Sequence, residues 1–261
     1  MIQKEYKEKV NFHERIKMEK VQYLTQPLTG SVHYTQGSQA LIASLESVYE
    51  NNQVPLGNHG LARQRAFGND VVWGNWFYGC PQVQIKSDDA HILFDDRVVD
   101  MNNLRSHPLY DPSFLRDHWN EIRNGALPMP KDYAMELLGL SEKAGSGVRA
   151  LKHSDLTEIN QGIPVADAAA NPYLKAFLGL SYAERAVYIK EHKARNGDVL
   201  NLYCTLADAQ EEAQGRLSVF DTYLNLGGYN NVVYGYARVF GVPASVASLS
   251  AEGAANLEQR L

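Results

Sequence analysis

Between Gln53 and Asp100 the chain drops helical spacing for short runs of β-formers, and no other stretch says more about the fold. VVWGNWFYG, VQI and HILF read as strands, with the polar SDDA between the last two as a hairpin loop. In QVQI, Val83 and Ile85 point one way and Gln82 and Gln84 the other, so a strand there has one wet face. Gly74, inside the first run, marks a bulge or a close approach to the backbone.

Around this stretch the spacing is helical. In SQALIASLESVYENN, Leu41, Leu45 and Val48 share a face. Asp111 before Pro112 is a helix start, because the carboxylate accepts orphan N–H groups while proline gives up no needed donor. Phe114, Leu115, Trp119 and Ile122 continue it as a stripe. Further starts lie at Asp132 and Asn171, and Ser181 with Glu184 forms a capping box. SEKAGSGVRALKHSD reads as loop or broken helix, and Asp198 to about Leu226 as the longest helix. YNNVVYGYARVFGV is either buried strand or helix overridden by packing, and a short helix from Ser248 to about Gln259 ends the chain.

The expected fold class is therefore α+β, with a small antiparallel sheet in the N-terminal half packed against a mostly helical C-terminal half. Residues 1–24 read as a charged arm and 25–261 as a single domain, with a boundary near 125 between a β-rich part and a helical part. A chain of 261 residues buries enough surface to fold without disulfide staples. Its two cysteines, Cys80 and Cys204, are too few for a thiolate metal site.

A net charge of −5 opposes binding to nucleic acid or to anionic membrane, since both need a positive field. No apolar run is long enough for a membrane span, and the opening residues carry charge without the apolar core of a secretory signal, so the expected compartment is the cytoplasm. Dinucleotide, P-loop and nucleophile-elbow sequences are lacking.

The densest chemistry lies in NHGLARQRAFGNDVVWGNWFYGC. Arg63 and Arg65 offer guanidinium forks for a carboxylate or phosphate, His59 could move a proton, and Trp73, Trp76 and Tyr78 supply flat contact surfaces for a substrate. His153 and Asp155, with His192 as third ligand, outline a two-histidine, one-carboxylate site for a divalent metal such as iron. Asp88, Asp89, His91, Asp95 and Asp96 read as a solvated turn.

Three functions follow from these residues. The first is an enzyme acting on a small polar or anionic substrate, with or without a divalent metal such as iron as its cofactor. The second is a homo-oligomeric assembly protein using the charged arm and the tyrosine-rich segment from Tyr229 to Phe240. The third is a non-catalytic protein that binds a small-molecule ligand in the same pocket.

Overall fold

The computed structural model describes residues 29–85, 91–155, 161–203, 213–221, 225–227 and 235–247. Among these, eleven strands form one mixed sheet. They are β1 (Ser31–Gln36), β2 (Gln53–Pro55), β3 (Phe77–Ile85), β4 (His91–Asp95), β5 (Leu127–Pro128), β6 (Val148–Lys152), β7 (Gln161–Pro164), β8 (Val199–Tyr203), β9 (Ala213–Phe220), β10 (Asn225–Gly227) and β11 (Tyr236–Pro243). The main path runs β1-β11-β3-β9-β10-β8-β7, with β2 on β11, β4 on β3, β6 on β4 and β5 on β9. Between the strands lie helices α1 (Ala40–Glu50), α2 (Asn58–Ala66), α3 (Asp70–Trp73), α4 (Pro112–Asp117), α5 (Lys131–Ser141), α6 (Val165–Ala168), α7 (Pro172–Leu178) and α8 (Tyr182–Asn196).

This corrects the expected fold class. The sheet is not confined to the front half, and the back half is not a helical block, because β6 to β11 all come from residues beyond 147. The largest error is the helix expected from Asp198 to Leu226, where β8, β9 and β10 stand instead. Every residue of β9 is buried, so it lacks the alternation that marks a half-wet strand, and its leucines fit helical spacing by chance. Gly215 permits β9 to pass close under Met129 and Leu109, both of which a Cβ would overlap.

VVWGNWFYG also divides. Val71 to Trp73 belong to α3, whose first N–H groups are capped by Asn69, and β3 begins only at Phe77. The stripe from Phe114 to Ile122 is helical only through Asp117, after which Trp119–Glu121 forms a 3-10 turn. β6 emerges from the segment read as loop. The N-terminal arm, the SDDA loop, Cys204 and the terminal helix lie outside the described residues.

The local capping signals act as expected. Asp111 accepts from Ser113 N, Asn171 from Leu174 N, and Ser181 and Glu184 form a reciprocal box. α1 buries Leu41, Leu45 and Val48. β1 lies antiparallel to β11, with Tyr34 opposite Arg238 and Gln36 opposite Tyr236.

Asp95 is buried rather than solvated. Its carboxylate accepts from Arg97 Nε at 2.8 Å and Nη2 at 2.9 Å and from the Tyr133 hydroxyl at 2.9 Å, while His107 Nδ1 stands 3.6 Å away. Burial alone would raise its pKa, but His107 and Arg97 outweigh burial and hold the carboxyl well below the usual carboxylate range. A group depressed in the folded state stabilises the fold above its unfolded pKa of about 3.9, and that stability disappears as pH falls toward the folded value. Asp95→Ala is expected to cost about 3 kcal/mol at pH 7 by urea denaturation, the scale of a broken buried ion pair. Below about pH 4 the parent should lose stability more steeply than Asp95→Asn. Parallel acid profiles would contradict this role.

Candidate functional site

Each of the nine residues of α2 is buried, although the helix has no apolar face in its sequence. Its polar side chains find partners across the molecule. Asn58 Oδ1 accepts from Cys80 N at 2.9 Å and from the Ser218 hydroxyl at 2.9 Å. β3 fits against this amide because residue 79 is glycine, where a Cβ would overlap Asn58 Oδ1.

The two arginines expected to clamp a ligand are both inside. Arg63 donates from Nε and Nη2 to Glu184 Oε1 at 2.8 and 2.6 Å. Burial would raise the Glu184 carboxyl, but Arg63 and the Ser181 cap hold it below its ordinary value. Arg65 donates to the carbonyls of Val72 at 3.1 Å, Asn75 at 3.2 Å and Asp221 at 2.6 Å. Its guanidinium also lies 5.0 Å from the centre of the Trp73 ring. His59, on the same helix, lines an open cleft.

Trp73 is buried, donates from Nε1 to Arg65 O at 2.7 Å and stacks on Tyr188 at 5.7 Å. Trp76 belongs to a different environment. It is only partly buried and makes an edge contact of 5.5 Å with the buried Tyr78 beneath it and another of 5.5 Å with Tyr236. The Arg238 guanidinium lies 5.5 Å from the Trp76 ring centre and 4.9 Å from that of Tyr34. Tyr34 and Tyr236 are 44% and 46% exposed, large values for rings this size. The β1–β11 register produces the juxtaposition. Val32, Tyr34 and Gln36 point outward, while His33 and Thr35 turn in to bond Ser47 and Ser44 on α1. Gln36 Nε2 donates to the Tyr34 hydroxyl at 2.7 Å, fixing the ring at the edge of the patch.

Sequence reasoning missed Tyr34 and Arg238. The alternation in SVHYTQ carries the signal for Tyr34. Tyr236 fell within the tyrosine-rich segment picked out as an interface.

Of the expected metal ligands, Asp155 is exposed at the end of a 3-10 turn that begins at His153. His192 is buried in α8, with Nε2 3.2 Å from Val199 O and its ring stacked against Tyr188. Burial pushes its pKa down. Among the described residues, no group of three histidine, cysteine, aspartate or glutamate side chains could hold a metal ion.

The mixed sheet pairs its first described strand with its last, β1 with β11, over the buried polar helix α2. The chain superposes with a TM-score of 0.66 on a solved structure reported as accommodation of massive sequence variation in Nanoarchaeota by the C-type lectin fold. Identity is 19%, and the match covers 84% of this chain and 99% of the other. No family model and no curated protein matches the chain. No described helix is long and apolar enough to cross a membrane.

The first functional reading, an enzyme acting on a small polar or anionic substrate with or without a metal, is corrected by these findings. Among the described residues no cluster of metal-ligating side chains supports the proposed cofactor, and the two arginines assigned to the substrate are spent on partners inside the molecule. Arg63→Ala is accordingly expected to destabilise the fold by about 3 kcal/mol, because it leaves Glu184 without its guanidinium. Urea denaturation measures this, and an unchanged midpoint would show that the pair contributes nothing.

Proposed function

We propose that the chain is a non-catalytic binding protein that receives a small polar ligand with a flat face, such as a sugar ring, on the surface of Tyr34, Trp76, Tyr236 and Arg238. The observation that carries this reading is the stacking of one guanidinium between two aromatic rings on the outer face of the sheet, where neither exposed tyrosine is needed for the core. Aromatic faces attract the C–H side of a ring, and the arginine and Gln36 supply hydrogen-bond donors at its edge. Trp76 contacts the ligand in this reading, and the buried Tyr78 supports its ring from beneath.

The likeness to a structure described as accommodating massive sequence variation supports the same reading. A scaffold whose ligand-facing side chains hold no core position can exchange them and remain folded. The mildly acidic chain is read as having neither nucleic acid nor membrane as its partner. Self-association through this face is a second reading, favoured by the exposed Tyr236 in the tyrosine-rich segment. In that case light scattering would show a dimer that Tyr236→Ser abolishes.

The test is a calorimetric and fluorescence titration with a panel of neutral and acidic mono- and disaccharides at about 10 mM, tenfold above a millimolar Kd. At least one sugar should bind, and Trp76→Ala should weaken it at least about tenfold, or ~1.4 kcal/mol. Absence of binding across the panel, or equal binding by Trp76→Ala, would overturn the assignment.

A further inference from the structure

Outside the aromatic face the molecule has an open cleft of about 850 Å³, a volume in the range of small-ligand sites. It shares no lining residue with the Tyr34–Trp76–Tyr236–Arg238 surface. Its walls come from α2, the segment after β4, the turn between α5 and β6, β6 itself and α7.

His59 reaches into this cleft and is only 9% exposed. Its backbone N–H donates to Asp96 Oδ2 at 3.0 Å, which fixes the start of α2, but neither ring nitrogen hydrogen-bonds to a described residue. Buried polar groups are normally paired, and an imidazole left open toward a cavity marks a position where a ligand completes the pairing.

A guanidinium stands beside this imidazole on the cleft floor. Arg149 lines the cleft, held in place by donation from Nε to Ala176 O at 2.6 Å and by its ion pair with Asp96. Burial pushes the His59 pKa down to about 3, and Arg63 and Arg149 push it further than Glu184 can restore. The ring is therefore neutral, and the Asp96 carboxylate, which also lines the cleft, is already matched by Arg149. At the rim, the exposed Lys143 and Lys175 face the opening together with Glu142 and Asp155. The rim charges balance in high dielectric, so the donors on the poorly solvated floor, the Arg149 guanidinium and the His59 ring, decide which group enters.

We propose that this cleft is a second binding site, for a small organic molecule carrying a carboxylate or phosphate group. The oxyanion lies beside Arg149 and takes a hydrogen bond from the His59 ring, and the remainder of the molecule extends between the rim charges. The site is independent of the sugar-binding reading of the aromatic face, so either can fail alone.

The experiment is calorimetry with inorganic phosphate and, separately, succinate, each to about 10 mM at low ionic strength. One of the two should bind saturably, one per chain, and the tighter of them tells phosphate from carboxylate recognition. His59→Leu, which keeps the bulk and removes both ring nitrogens, should weaken binding at least about tenfold. If that variant fails to fold, Lys143→Glu with Lys175→Glu changes exposed side chains only and should weaken binding at least about threefold. No binding of either anion, or parental affinity in the variant that folds, would overturn the proposal.

Discussion

Two buried guanidiniums on one helix set the terms for the rest of the structure. Arg63 and Arg65 lie inside α2, where an unpaired charge would cost several kcal/mol, so acceptors must be brought to them from distant parts of the chain. Glu184 comes from the first turn of α8, and the carbonyls of Val72, Asn75 and Asp221 come from α3, the turn before β3 and the end of β9. The Asn75 carbonyl bears most directly on the proposed ligand face. It is one residue from Trp76, so the buried arginine fixes the point at which the chain turns the indole outward.

The same helix joins the two proposed binding surfaces. Arg65 sets the entrance to β3 and with it the aromatic face, while His59, two turns earlier, lines the cleft. Hydrogen bonds from a guanidinium to several carbonyls are directional and charge-assisted, and they hold geometry better than apolar contact does.

Much of the helical part was legible because capping is local chemistry. Asp111, Asn171 and the Ser181–Glu184 box each act within three or four residues, and all three helices start where the side chains require. β8 to β10 were not legible, because a strand buried on both faces carries no period-two pattern. AQGRLSVF acquires its meaning only from pairing with β3, more than one hundred residues earlier in the chain. The role of Arg63 and Arg65 was hidden for a related reason, since NHGLARQRA reads as a wet surface and is buried only because its partners arrive from elsewhere. Trp76 could be picked out from its neighbourhood in sequence, whereas Tyr34 and Arg238 meet it through the β1–β11 register, which joins residues about two hundred apart.

The central claim is that a rigid core carries a ligand face whose side chains are free to change. Randomising residues 34, 236 and 238 together and sorting the library for folded protein tests it most directly. The account predicts that most variants fold, with stabilities within about 1 kcal/mol of the parent, as expected for surface positions outside the core, while ligand preference changes from variant to variant. A library in which most variants unfold would contradict it, because those side chains would then belong to the core rather than to a binding surface.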